Sequence, residues 1–181
     1  DLYHLCQELN LLLYIDGARL AHALNASGND ITWEDLARYT DAFYIGATKN
    51  GAIMGEAIVL NNLELQLGFE YHIKQKGALL AKGRFLGIQF LELFQNNLFN
   101  ELALHANAQA FIEKGVHFLS HTPTNQVFPI LTNEQVALLQ KQFDFYIWKK
   151  VDETHTAIRL ITSWATKPEN VDTLIYAIKK L

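Results

Sequence analysis

Apolar residues recur along this chain at two spacings, and each spacing predicts a different element. Leu2, Leu5, Cys6 and Leu9 fall at i, i+3, i+4 and i+7, the stripe of an amphipathic helix over residues 2–9. Residues 11–15 are instead continuously apolar and are closed by Asp16-Gly17. A run that short predicts a strand buried on both faces, as in a parallel sheet. Residues 18–24 predict a brief helix, and the Asn, Ser, Gly and Asp cluster over 25–30 predicts a loop. Thr32 predicts an N-cap, with Glu34 and Asp35 favourably placed in the first helical turn. Short apolar runs over 42–45 and 57–60 predict two further strands.

Residues 63–99 read as largely helical, with breaks near Gly68 and at Lys76-Gly77. Phe85, Leu86, Ile88, Phe90, Leu91, Leu93 and Phe94 make the second part apolar nearly all round. Such a helix is expected to be buried or to lie at a subunit interface. Beyond Asn96-Asn97 the texture changes. Residues 101–114 predict a helix. Residues 126–131 predict a strand in which Pro129 argues for an edge position. Thr132 and Gln135 form a capping box for another helix. Residues 143–148 and 157–161 predict strands, and Thr166, Pro168 and Glu169 predict a second capping box. Val171, Leu174, Ile175 and Ile178 share one face of the final helix, and Lys179 and Lys180 sit near its negative end. The chain therefore divides into an α/β part over residues 1–96 and a small α+β part over 97–181.

Composition narrows the class. Charged residues make up 19% of the chain and hydrophobic residues 50%, which is globular rather than disordered composition. The net charge is -4, and no basic stripe offers a nucleic-acid surface. The lone cysteine, Cys6, excludes a disulfide within the chain and favours a reducing, cytoplasmic setting. No Cys or His stands around it at metal spacing, so no metal is expected. The apolar run at 11–15 is far too short to span a membrane, and no membrane partner is expected. Asp1 opens the chain within a helical pattern, without a leader, so we expect the C-terminal portion of a longer protein.

Three segments carry chemistry: Tyr14-Ile15-Asp16-Gly17-Ala18-Arg19-Leu20, Gly46-Ala47-Thr48-Lys49-Asn50-Gly51 and Ile158-Arg159-Leu160-Ile161-Thr162. Each has a plain structural reading. Asp16-Gly17 serves equally as a hairpin turn, Lys49 as a solvated lysine before an Asn-Gly turn, and Arg159 as an edge-strand arginine with its head in water. Together they say more. Asp16 follows one predicted strand and Lys49 the next, and strand ends are where open α/β sheets place ligand-binding groups. His22 and His72 lie near these segments and read as structural or solvated.

The Ile15-Asp16-Gly17-Ala18-Arg19-Leu20 run resembles the signature of the threonine aldolase and β-eliminating lyase family. Gly46-Ala47-Thr48-Lys49-Asn50-Gly51, followed by Gly55-Glu56-Ala57, is similar to that family's cofactor-lysine segment. Lys82-Gly83-Arg84-Phe85-Leu86, Asn125-Gln126-Val127-Phe128 and Arg159 follow in the expected order. The resemblance covers essentially the whole chain and aligns it with the C-terminal half of the family.

The resemblance implies an aspartate-aminotransferase-like fold and pyridoxal 5'-phosphate as cofactor. The chain would hold the C-terminal part of the cofactor-binding large domain, mostly parallel in its sheet, and then the small domain. Lys49 would form the Schiff base, Asp16 would pair with the pyridine nitrogen, and Arg19 would lie beside the ring oxygen. Arg159 would bind the substrate carboxylate, for which a planar guanidinium fork is suited. The implied reaction is retro-aldol cleavage of a β-hydroxy amino acid, L-threonine first, in a cytoplasmic homo-oligomer. The alternatives are another lyase with the same cofactor, such as a β-eliminating one, or a truncated chain without activity. The glycine-rich phosphate turn and the ring-stacking side chain would lie upstream, since no residue here matches either.

Overall fold

The computed structural model of the chain describes residues 1–108 and 116–180. They form two compact units, one of residues 1–24 and 29–100, the other of 25–28 and 101–181.

The first unit is built on a three-stranded sheet. Helix α1 (Leu2–Glu8) precedes β1 (Tyr14–Ile15), and α2 (Leu20–Leu24) and α3 (Trp33–Arg38) lead into β2 (Ala42–Gly46). The Thr32 hydroxyl accepts from the Asp35 N–H at 3.2 Å while the Asp35 carboxylate accepts from the Thr32 N–H at 3.0 Å, so the predicted cap is a full capping box. β3 (Glu56–Leu60) follows, and the sheet order is β1-β2-β3. β1 and β2 are parallel, whereas β3 runs antiparallel to β2. Asp16-Gly17 is therefore not a hairpin turn. One sheet face buries Phe43 with Leu20 of α2 and Leu36 of α3, and Ile15, Ile45 and Val59 pack against them.

The strand expected over 11–15 shrinks to its last two residues, and it is not buried on both faces. Leu11, Leu12 and Tyr14 are exposed. β1 pairs with β2 alone among the described residues, and face burial of a parallel strand needs elements packed above and below it, which the described residues do not place over Leu11, Leu12 and Tyr14.

The long helical stretch is three helices, α4 (Leu63–Gln66), α5 (Phe69–Gln75) and α6 (Arg84–Phe94). Gly68 and Gly77 interrupt it with φ of 68° and 70°, a left-handed backbone that glycine adopts without penalty. α6 is not buried within this unit: Leu93 is its one buried side chain, while Phe85, Ile88 and Leu91 are more than half exposed.

Helix α7 (Leu98–Ala108) carries the chain into the second unit; the part of its expected span over 109–114 lies outside the described residues. β4 (His117–Phe118), β5 (Gln126–Val127), β6 (Pro129–Thr132), β7 (Tyr146–Lys150) and β8 (His155–Ile161) form an antiparallel sheet. Helices α8 (Asn133–Leu139) and α9 (Pro168–Lys179) complete the unit. Val127, Leu131, Val136, Leu139, Ile158 and Ile178 make its core, and Leu174 and Ile175 pack against it.

Two expectations change here. Pro129 lies on no edge strand, because β6 pairs with both β4 and β8. It is the first residue of its strand, where its missing N–H costs the ladder least. Thr166 does not cap α9; Lys167 is the N-cap and Pro168 opens the helix. The Thr166 hydroxyl instead accepts from the Ser163 N–H at 2.8 Å. Among the described residues, no helix is long and apolar enough to cross a membrane.

Candidate functional site

Parallel pairing of β1 and β2 sets Tyr14 opposite Ala42 and Ile15 opposite Phe43, so both strands deliver their carboxyl ends to the same side of the sheet. Asp16 leaves the end of β1, and Lys49 follows the end of β2 in the turn Thr48–Asn50. Asp16, Arg19 and Lys49 thus belong to one unit, and Arg159 belongs to the other.

Asp16 is exposed, yet its carboxylate is oriented. Oδ1 accepts the Tyr44 O–H at 2.5 Å and the Ala18 N–H at 3.0 Å. Oδ2 accepts nothing from the described residues. The Tyr44 hydrogen bond, then the Ala18 N–H, hold the carboxyl below the ordinary carboxylate range, and the Lys49 charge acts in the same direction against a small desolvation effect. Tyr44 answers with the opposite shift. Its phenol is pushed up to about 12, first by its hydrogen bond to Asp16, then by desolvation and the charges of Asp16 and Glu56. At neutral pH the pair is therefore a phenol donating to a carboxylate.

The turn that carries Lys49 is fixed on several sides. Glu56, opposite Gly46 in the β2–β3 register, accepts the Ala47 N–H at 2.9 Å and the Thr48 hydroxyl at 3.1 Å. The Asn50 side chain is buried and donates to the Phe99 carbonyl at 2.8 Å. Gly51 closes the turn at φ 102°, where a side chain would be strained. Lys49 itself is exposed and forms no ion pair with a described residue. A hydrogen-bonded turn presenting an exposed amine with no ion-pair partner suits a lysine that reacts. Arg19 is half-buried just before α2, its carbonyl accepting the Ala23 N–H at 3.1 Å.

In the second unit, Arg159 is no edge residue, because β8 pairs with β5, β6 and β7. Its neighbour Ile158 points into the core, so Arg159 projects from the opposite face. There it is half-buried under aromatic rings: its guanidinium carbon lies 4.7 Å from the Tyr146 ring centre and 5.3 Å from that of Trp148. Trp148 packs in turn against Phe128, 5.0 Å between ring centres. Arg159 also lines a cavity of about 320 Å³ with Phe143, Tyr146, Asn170 and Leu174. No carboxylate among the described residues pairs with it, and its Nε is buried without a hydrogen-bond partner.

Tyr44, Glu56, Tyr146 and Trp148 receive no site role from the sequence, although Glu56 stands in the segment that resembles the cofactor-lysine motif. Tyr44 carries a signal of its own: the period of two puts it on the same strand face as Gly46, and so next to the strand end that carries the turn. His22 is a buried helix residue and His72 is exposed, as read.

A low specificity L-threonine aldolase of Pseudomonas aeruginosa is 33% identical over 185 aligned positions, which include 96% of this chain and 51% of that protein. The chain spans about half the length of the curated relatives it matches. Leishmania major threonine aldolase superposes with a TM-score of 0.94 at 43% identity, over 99% of this chain and 54% of that one. Sphingomonas wittichii serine palmitoyltransferase superposes at 0.66 with 11% identity, over 98% of this chain and 49% of that one, a likeness of fold alone. Residues 1–139 match the beta-eliminating lyase family, most of the chain, and the chain belongs to that family.

Proposed function

We propose that the protein to which this chain belongs uses pyridoxal 5'-phosphate to cleave β-hydroxy amino acids, with L-threonine giving glycine and acetaldehyde. The observation that carries this is the pair at the strand ends. Asp16 is an ionised carboxylate with one oxygen occupied and the other free, and the unpaired amine of Lys49 stands close enough to act on its charge. Those two groups fit the cofactor's ring nitrogen and its aldehyde. The named relatives support the choice of reaction.

When bound, the cofactor supplies an electron-accepting ring that takes up the charge left on Cα as the Cα–Cβ bond breaks. Asp16 would keep the ring nitrogen protonated, and its charge would matter most as the bond breaks, which is where binding energy raises the rate. Lys49 would hold the cofactor through its aldehyde carbon. Arg19 would lie beside the cofactor, near its ring oxygen. Arg159 accepts the substrate carboxylate on its planar fork, and its unsatisfied Nε is the donor such a ligand would meet. A base takes the β-hydroxyl proton, acetaldehyde departs, and protonation of Cα gives glycine.

On this reading residues 1–96 complete a cofactor-binding large domain and 97–181 form the small domain. The protein is cytoplasmic and homo-oligomeric, and the exposed apolar face of α6 is available for contacts outside its own unit.

The test uses the full-length protein. Addition of the cofactor should give visible absorbance, and borohydride should fix the label on Lys49. L-threonine should then yield aldehyde and glycine. A label on another lysine would defeat the site assignment, and pyruvate with ammonia would make the enzyme a β-eliminating lyase.

A further inference from the structure

We propose that Tyr44 is a positioning residue for the cofactor's ring nitrogen, acting through Asp16. The inference rests on Asp16 being the ring-nitrogen partner, and goes beyond it by assigning the group that makes Asp16 fit for the task.

A carboxylate at a chain end of a strand has two freedoms that would harm it in this role. It rotates about Cβ–Cγ, which exchanges its oxygens, and it takes up a proton as the medium acidifies. Both freedoms are restrained by the same oxygen. Oδ1 accepts from Tyr44 at 2.5 Å and from Ala18 at 3.0 Å, so the plane of the carboxylate is set and Oδ2 is the oxygen left for a third donor. The Ala18 donor is two residues away and exists wherever this loop forms. The Tyr44 donor is 28 residues away, on the next strand, and it ties the loop after β1 to β2. Its ring is held as well: it stacks on Tyr14, with 6.3 Å between centres and 29° between planes. The phenol therefore arrives at Asp16 from a fixed direction.

The chemical consequence follows from where the proton between Asp16 and a ring nitrogen resides. Donors to a carboxylate stabilise its charged form. With two donors on Oδ1, the shared proton is displaced toward the nitrogen, which is the protonation state an electron-accepting ring requires. Removal of the phenol leaves Asp16 more basic and freer to rotate, so the charge pair forms less often in the right geometry.

The experiment compares Tyr44→Phe, Tyr44→Leu and Asp16→Asn in the full-length holoenzyme, with a parallel measurement without cofactor. Tyr44→Phe keeps the ring and its stacking on Tyr14 but removes the donor. We expect kcat to fall about ten-fold in Tyr44→Phe, the order of one hydrogen bond to a charged group, with KM within about two-fold of the parent. Without cofactor, the carbon-13 titration of the Asp16 carboxyl should move up toward the ordinary carboxylate value in Tyr44→Phe, a shift that a purely structural role would not produce. Tyr44→Leu should match Tyr44→Phe in kcat if the hydroxyl is what counts. Parental kcat in Tyr44→Phe, or an unmoved Asp16 titration, overturns the proposal while Asp16→Asn still abolishes turnover. If Asp16→Asn itself turns over normally, the reading of Asp16 fails first and the role of Tyr44 falls with it.

Discussion

Gly46 donates its N–H to the Gly17 carbonyl at 2.9 Å, and neither residue has room for a side chain. A Cβ on Gly17 would stand 1.6 Å from the Tyr44 carbonyl oxygen, and one on Gly46 would stand 2.6 Å from the Ala18 carbonyl oxygen. The obstacles are backbone atoms, which do not swing aside. The two glycines let the loop carrying Asp16 lie directly on the end of the strand that leads to Lys49.

Both positions should therefore reject alanine. Overpacking a tight contact costs about 1–3 kcal/mol, occasionally more, and the shorter distance makes Gly17→Ala the worse of the two. Urea denaturation should show both variants less stable than the parent, Gly17→Ala more so. Equal midpoints for parent and Gly17→Ala would mean that the loop and strand are not in contact.

The buried Asn50 should be sensitive too, for another reason. Its Nδ2 satisfies the Phe99 carbonyl at 2.8 Å, and Asn50 is adjacent to Lys49. Loss of one such hydrogen bond costs about 0.5–1.5 kcal/mol, since the Phe99 carbonyl lies in α7 and keeps its helical donor. Asn50→Leu should lower stability by that order and loosen the turn, so that cofactor labelling of Lys49 in the full-length protein becomes slower. Unchanged stability would show that water or a neighbour replaces the amide.

The Tyr44–Asp16 pair also predicts a pH window. The folded pKa of Asp16 is depressed, so its contribution to stability is present above the unfolded value of 3.8 and is lost as pH falls through the folded one. The folded pKa of Tyr44 is raised to about 12, so its contribution is complete below 10.0 and is lost as pH rises through about 12. Of the seven tyrosines, one should ionise late in a 295 nm titration, and Tyr44→Phe should remove that phase. Disappearance of a different phase in Tyr44→Phe would place the late phenol elsewhere.

What the sequence discloses and what it hides divide along contact range. Thr32 with Asp35, and Thr132 with Gln135, announce their helices because a capping box spans four residues and needs nothing else. Asp16 and Lys49 are legible as strand-end residues because short apolar runs precede them. Thr166 misleads for a neighbouring reason: Ser163 competes for its hydroxyl, and the box pattern does not reveal which partner wins. Pro129 misleads because edge or interior depends on pairing with β4 and β8, decided far along the chain. The roles of Tyr44 and Glu56 are not legible in the sequence, since their contacts with Asp16 and Ala47 exist only once strands are in register. The apolar α6 shows the limit from the other side: its composition demands cover, and the described residues of its unit leave most of it exposed.

Arg159 supplies the last prediction. Tyr146 lies opposite it in the β7–β8 register, and the Trp148 ring also reaches its guanidinium, 4.7 and 5.3 Å from the two ring centres. Aromatic faces attract a guanidinium by about 0.5–1 kcal/mol at exposed sites and more where water is excluded. They also limit its rotamers, so fewer must be frozen when a carboxylate binds. On the proposed role of Arg159, the rings act on substrate affinity rather than on the bond-breaking step. In the full-length enzyme, Tyr146→Leu and Trp148→Leu should each raise KM by about two- to five-fold with kcat little changed, the factor that such an attraction corresponds to. Tyr146→Phe should behave as the parent, because the ring face and not the hydroxyl makes the contact. Arg159→Lys should lose far more catalytic efficiency with cofactor still bound, since an ammonium cannot form the paired hydrogen bonds of a planar fork. A drop in kcat at constant KM in the two leucine variants would assign the rings to another step, and parental kinetics in Arg159→Lys would remove the arginine from the substrate site altogether.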